Sequence, residues 1–284
     1  MIPSLALTIL VDNTTLTDRY FVSEPGLSIF LETEGRRILF DTGYSDVFFR
    51  NAEAMGIDLL NLDVIVLSHG HLDHTWGLVH LIRNLSGAAL HSRAHKRPAL
   101  VAHPYCFYPK PKAPLPNTGS LVSEAEAARW FSLTLSHEPL WITENLVFLG
   151  EIPRIHAFEQ NSPGTRQILM PDGQVCPDRL LDDSSLACRT PKGLVIITGC
   201  SHAGICNIVS YAQEVCGEQR VLDIVGGFHL LRPSAGQLEG TCNYLKALAP
   251  AAVHACHCTS LPAKIALSSA CRLEETGVGL KLKY

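Results

Sequence analysis

What this chain lacks narrows its class before any motif is read. Charged residues fill only 18% of its 284 positions, and 23 basic side chains against 27 acidic ones leave a net charge of −4. Such a balance supplies no clustered Lys and Arg to attract nucleic acid or an anionic membrane, so neither is an expected partner. No apolar run approaches the roughly 20 residues that a spanning helix requires. The opening stretch MIPSLALTILVDN carries no Lys or Arg and meets Asp12 early, so it reads as a first β-strand and not as a secretory signal. The expected compartment is the cytoplasm. Ten cysteines are present, yet no CxxC pair occurs among them. That sets aside zinc ribbons and the common iron–sulfur patterns, in which two thiolates reach one metal from one tight turn. A chain of this size needs no disulfide framework, so the thiols read mostly as buried and free. With 46% apolar residues, the chain can bury one large core or two fused layers and is too short for several independent domains. Residues 1–284 are therefore read as one domain.

Short strands are expected at 4–11, 27–33 and 36–41, followed by a helical pattern through about Met55. Leu62 to Ser68 is a continuous apolar run, the mark of a strand covered on both faces, and it ends at His69. A helix over roughly 75–85 and a short strand near 88–91 should follow. From 94 to 120 the regular pattern lapses. Pro98, Pro104, Pro109, Pro111, Pro114 and Pro116 fall among Tyr105, Phe107 and Tyr108, a density that argues against a helix or a central strand. This insertion reads as a functional loop, a lid or a surface excursion. Ser123 and Glu126 form a capping box for a short helix. In the second half, strands are expected at 146–150, 184–190, 193–199, 220–226, 251–256 and 278–283, with helices at 203–216, 235–248 and 261–275. Runs of strands mixed with helices fit two sheets packed face to face with helices outside, an α/β four-layer αββα sandwich.

The chemistry-bearing stretch is SHGHLDH, with His69, His71, Asp73 and His74 in six positions just beyond a buried strand. Side chains leaving a strand end converge, and a compact turn eased by Gly70 lets alternate residues aim at two points. Imidazoles suit borderline metals such as zinc, and a carboxylate adds charge compensation. Four ligand-type residues at this spacing form a plausible half of a two-metal site.

This HxHxDH pattern, with Asp41-Thr42-Gly43 upstream, resembles the metallo-β-lactamase fold superfamily. Further stretches resemble one branch of it: LVDN at 10–13, GLSIFLE at 26–32, GEIPR at 150–154, GLVIITGCSHAGICNI at 193–208, GGFHL at 226–230 and HCT at 257–259. That branch holds the 7,8-dihydropterin-6-methyl-4-(β-D-ribofuranosyl)aminobenzene-5′-phosphate synthases and many uncharacterised bacterial relatives. The resemblance implies that His69 and His71 hold one metal and that Asp73 and His74 hold or approach a second. Two further ligands are expected from His202 in GCSHAG and His257 in CHCT, each at a strand end, with His254 ranked far lower. Many members carry a bridging acid after a TG-like strand end. Here Cys200 stands in that place, either as a ligand or as a buried structural thiol, the second reading being favoured. His229 in GGFHL is a candidate for ligating metal, for binding substrate or for stabilising a developing oxyanion. Asp41 is expected to hydrogen-bond a ligand histidine or its turn. Trp76, directly after the ligand cluster, either narrows the pocket floor or packs in the core.

One or two divalent ions are implied, zinc first, with manganese or iron as alternatives. Three protein ligands and an open position would make bound water a nucleophile, with Asp73 orienting it. The leading expectation is a hydrolase acting on a small-molecule ester, thioester, lactone or phosphodiester. The alternatives are a synthase-type condensation on a phosphoribosyl, aryl-amine or pterin-related substrate, and a non-catalytic ligand sensor. A phosphate would need cations, and Arg154, Arg166 and Lys192 could each supply one.

Overall fold

Most core-strand residues are buried, and successive side chains alternate between two cores, which builds the layers. In the computed structural model, residues 5–160 and 164–284 are described. The first half runs β1 (Leu5–Val11), β2 (Ser28–Thr33), β3 (Arg36–Phe40), α1 (Val47–Ala54), β4 (Val64–Val66), α2 (Leu72–Thr75), α3 (Gly77–Leu90), β5 (Ala99–Ala102), α4 (Glu124–Trp130) and β6 (Ser132–Leu135). The expected start of the first strand at residue 4 lies outside the described residues. The second half continues with β7 (Leu140–Trp141), β8 (Leu146–Phe148), a hairpin β9 (Gln167–Leu169) and β10 (Val175–Pro177), β11 (Ser185–Thr190), β12 (Gly193–Thr198), α5 (Ile205–Cys216), β13 (Val221–Gly227), α6 (Ala235–Leu248), β14 (Ala252–Cys256), α7 (Leu261–Ser268) and β15 (Lys281–Lys283).

One sheet has the order β15-β1-β2-β3-β4-β5-β6, the other β14-β13-β12-β11-β8-β7. Ile29, Leu31, Ile38 and Phe40 of the first sheet share a core with Val195, Ile197, Val225 and Phe148 of the second. Their strand neighbours point the other way. Phe30 and Leu39 pack with Phe48, Leu78, Leu81 and Leu85 of α1 and α3. Leu194 and Ile196 pack with Ile205, Ile208, Val209 and Leu245 of α5 and α6. A period of two thus divides each strand between an inter-sheet core and an outer helical layer, which is the αββα sandwich. Ser123, Ser234 and Ser260 each cap a helix by accepting the amide of Glu126, Gln237 and Ala263.

Several expectations need correction. β5 lies inside the proline-rich stretch and is central, between parallel β4 and β6. Pro98 stands just before it and Pro104 after it, so the four residues between keep their ladder amides. The strand expected near 88–91 is the last turn of α3, because Leu78, Leu81, Leu85 and Ala88 continue one helical stripe. The last expected helix ends at Ser268, and the residues beyond it leave the helical path to pair Leu273 with Val253. With four, two, three and three residues, β6, β7, β9 and β10 are too short to show a period in sequence. All ten cysteines are free thiols.

Candidate metal centre

Each candidate ligand follows the carboxyl end of a parallel strand. β3, β4 and β5 are parallel in one sheet, and β12, β13 and β14 in the other. Asp41 leaves β3, the His69–His74 turn leaves β4, Cys200 and His202 leave β12, His229 leaves β13 and His257 leaves β14. Ligand groups gather where such strand ends open together. Gly70 makes the turn possible: a Cβ there would meet the Cys106 carbonyl oxygen at 2.5 Å.

Hydrogen bonds fix which ring nitrogen each histidine turns inward. Asp41, fully buried, accepts the Ser68 amide at 2.7 Å and the Ser68 hydroxyl at 2.6 Å, and its Oδ2 lies 2.6 Å from His74 Nδ1. With its hydrogen given to Asp41, the Ser68 Oγ accepts from His69 Nδ1 at 2.9 Å. His257 Nδ1 donates to Asn13 Oδ1 at 2.8 Å, while its amide donates to Asp12 Oδ1 at 2.8 Å. The Nε2 atoms of His69, His74 and His257 are therefore left to face one another's neighbourhood, the tautomer a metal ligand needs.

Two groups of donor atoms result, and Cys200, His202 and His229 form a third, overlapping one. His71 Nδ1 lies 3.0 Å from His69 Nε2 and 3.1 Å from His202 Nε2. In the second group His74 Nε2 is 3.2 Å from Cys200 Sγ and 3.2 Å from His257 Nε2, and Cys200 Sγ is 3.3 Å from His257 Nε2. Asp73 Oδ2 stands 3.4 Å from His257 Nε2 and 3.8 Å from His74 Nε2. A tetrahedral zinc at its usual bond lengths separates nitrogen and sulfur ligands by about 3.3–3.6 Å. Both groups fit a divalent ion of that size on donor chemistry and spacing. Cys200, for which a structural role was favoured, has its sulfur among the donors of the second group. Cys258 turns its sulfur to the His229 amide at 3.1 Å and the Cys200 carbonyl at 3.3 Å.

Electrostatics follow from burial. Desolvation, reinforced by neighbouring histidines, pushes His69 and His202 well below the ordinary imidazole range. Burial and then Lys110 bring His71 down to about 3. These rings are neutral and offer lone pairs. Burial alone would raise Asp73, but His74 and its hydrogen bond with His257 hold it well below the carboxylate range. Burial would lower His257, yet the Asp73 hydrogen bond and Cys258 raise it to about 9.

Two cavities meet at this centre. One, of about 420 Å³, is bounded by His71, Asp73, Pro25, Tyr44 and Leu72. Tyr44 stacks on Trp76 with centroids 5.1 Å apart, and Trp76 Nε1 donates to the Gly119 carbonyl at 2.8 Å. Trp76 therefore backs the cavity wall. The second cavity, about 700 Å³, opens at His202 and His229 and gathers Arg154, Arg166, Arg179 and Arg232. Lys112 borders both. Arg154 is engaged by the Arg179 and Leu180 carbonyls, whereas Asp178, the cavity's one acid, is paired with Lys110 at 2.9 Å. His229 lies tilted against His202 at 4.2 Å between centroids, and its buried Nδ1 has no protein partner.

Lys192 does not join them: it borders a different cavity with His254, whose ring lies 2.9 Å from Asp223. Arg179, Arg232 and Lys112 were not singled out in the sequence, because isolated cations on loops carry no pattern. Asp12, Asn13, Ser68, Asp182 and Asp183 were missed as supports because their partners lie far away in the chain, although LVDN was visible as a motif. The proline-rich stretch packs behind the centre, where the Thr118 carbonyl accepts the Leu72 amide at 2.9 Å. His103, His137 and Glu151 also cluster. There the Tyr105 amide donates to His103 Nδ1 at 3.1 Å, which leaves the ring proton on Nε2 and makes that atom a donor, not a ligand.

Comparison with known proteins agrees with this geometry. The model of the metallo-beta-lactamase superfamily matches residues 23–202. A 7,8-dihydropterin-6-methyl-4-(beta-D-ribofuranosyl)-aminobenzene-5′-phosphate synthase of Methanocaldococcus jannaschii is 31% identical over 258 residues, 86% of this chain and 84% of the relative. An uncharacterised protein of the same organism is 31% identical over 262 residues, 92% of this chain and 93% of its own. The crystal structure of Tm1679, a metal-dependent hydrolase of the beta-lactamase superfamily, superposes with a TM-score of 0.80 at 29% identity over 98% of each chain.

Proposed function

The chain belongs to the metallo-beta-lactamase superfamily, and from that premise we propose that it is a metal-dependent hydrolase of small, phosphate-bearing molecules. The observation that carries this reading is the convergence of two donor groups at the junction of an aromatic cavity and an arginine-lined one. His69, His71 and His202 would hold one divalent ion, and Asp73, His74, Cys200 and His257 the other, with zinc preferred by the nitrogen and sulfur donors. When bound, such ions lower the pKa of water and polarise a substrate oxygen.

The protein's own groups do the rest. Arg166, Arg179 and Arg232 bind the anionic end of the substrate, and Arg154 is held by carbonyls in a fixed pose. Tyr44, backed by Trp76, presents a flat apolar face to the other end. Asp73, partly exposed and ionised, accepts a hydrogen bond from the attacking water and orients it. His229, which lines the arginine-lined cavity beside His202, donates to an oxygen on which charge develops. The proposed partner is thus a small molecule, and among the described residues no helix is long and apolar enough to cross a membrane.

A second reading has one observation in its favour. A cationic arm and an aromatic arm flanking one centre also suit a condensation between a phosphosugar and an aryl amine, the class suggested by the name of the synthase relative. The deciding experiment measures turnover of generic phosphodiester, ester and thioester substrates before and after metal removal, with mass spectrometry of molecules released on denaturation. Hydrolysis lost on chelation and restored by zinc is the expected result. Hydrolysis that survives complete metal removal overturns the proposal, and a co-purified phosphosugar or pterin with no hydrolysis moves the reading to the synthase.

A further inference from the structure

We propose that Asp182 and Asp183 are positioning residues that together hold the His69–His71 turn and the His202 turn at the spacing a metal ion requires. This inference rests on the metal-centre reading above. Both carboxylates are buried. Asp182 Oδ2 accepts the Gly70 amide, between His69 and His71, at 2.8 Å. Asp183 Oδ2 accepts the Ala203 amide, directly after His202, at 2.9 Å. The next residue, Ser184, donates its amide to the Ser68 carbonyl, on the near side of His69, at 2.9 Å. Three consecutive residues leading into β11 therefore grip both ligand-bearing turns, which belong to different sheets.

A backbone carbonyl could satisfy two turn amides as well as a carboxylate could, and burying a carboxylate is costly. Charge explains the choice. The His69/His71/His202 group contains no anionic ligand, so a divalent ion there has no compensating charge among its donors. Asp182 brings negative charge behind the His69–His71 turn while fixing it, and Asp183 holds the His202 turn as a hydrogen-bond acceptor. Lys110, itself fully buried, anchors Asp182 at 3.2 Å and Asp178 at 2.9 Å, so the first carboxylate cannot swing away. Lys110 comes from the proline-rich stretch, where its carbonyl accepts the Thr118 amide at 2.8 Å and Thr118 in turn holds Leu72. That gives the 94–120 segment a task other than that of a lid. Asp183 Oδ1 has no protein partner, so its hold on the His202 turn runs through Oδ2.

The test is cobalt(II) titration of the metal-stripped full chain against a chromophoric chelator, comparing wild type with Asp182→Ala, Asp183→Ala, Asp183→Asn and Asp183→Glu. Loss of such outlying supports weakens metal affinity by about 10- to 100-fold. The alanine variants should show that loss for one of two bound ions only, leaving the other at wild-type affinity. Asp183→Asn keeps an oxygen for the Ala203 amide and should stay near wild type, whereas Asp183→Glu, one methylene longer, should displace the turn and weaken binding. If the alanine variants do not fold by near-UV circular dichroism, the asparagine and glutamate pair carries the test. Variants that fold and bind both ions as tightly as wild type overturn the clamp alone. A wild-type chain that takes up no cobalt overturns the metal-centre reading and the clamp with it.

Discussion

Asp41→Asn is the sharpest probe of the centre, because it keeps shape and removes one acceptor. Asp41 now receives three donors: the Ser68 amide at 2.7 Å, the Ser68 hydroxyl at 2.6 Å and His74 Nδ1 at 2.6 Å. An asparagine offers one carbonyl oxygen and one NH2 group. If its oxygen keeps the Ser68 amide, the NH2 faces Ser68 Oγ and His74 Nδ1, both of which must then accept. His74 accepts only by moving its proton to Nε2, the atom that faces Cys200 and His257 at 3.2 Å. A protonated Nε2 cannot bind metal. Hydrogen bonds to charged groups contribute about 1.5–3 kcal/mol, and about 1.4 kcal/mol is tenfold in affinity. The expected outcome is 10- to 100-fold weaker binding of one zinc per chain, read by chelator competition, with the ion at His69, His71 and His202 affected far less. Unchanged affinity for both ions, or equal loss of both, would refute the tautomer argument.

Four further outcomes are expected. Cys200→Ser should abolish the thiolate-to-cobalt charge-transfer band of the cobalt-loaded protein; a band that persists means that another thiol ligates, and a wild type without the band means that none does. Lys110→Met leaves Asp178 and Asp182 buried beside each other without their cation, and urea melts should show a loss of about 3–5 kcal/mol. Arg166→Ala should raise KM for a phosphate-bearing substrate while leaving kcat within a few-fold, and an equal fall in kcat would place the residue in the reaction step instead. Burial brings His103 down to about 4 from 6.5, so its neutral form stabilises the fold above pH 6.5 and that contribution is lost as pH falls toward 4. His103→Gln should flatten stability across that window by about 1–3 kcal/mol after allowance for solvent screening, measured as the difference from wild type in thermal melts at several pH values.

The linear chain determined what depends on near neighbours. Alternation in β2, β3 and β12 separated inter-sheet from helix-facing side chains, serine caps marked three helix starts, and SHGHLDH placed four ligand-type side chains on one short turn. Those signals are local, because backbone geometry converts residue spacing into direction within one element. Chain order alone also exposed the strand ends at Cys200, His202, His229 and His257. It left their partners open. His74 meets Cys200 across 126 positions and His257 across 183, and His71 meets His202 across 131. The same holds for Arg179 and Arg232 entering the cavity while Lys192 stays outside, and for Asp182 and Asp183 holding two turns. β5 was hidden because proline density describes the ends of a four-residue strand as readily as its absence. Only tertiary structure decided these contacts, since two sheets must pack before loops from opposite halves share one rim, and no residue spacing records where that packing brings them.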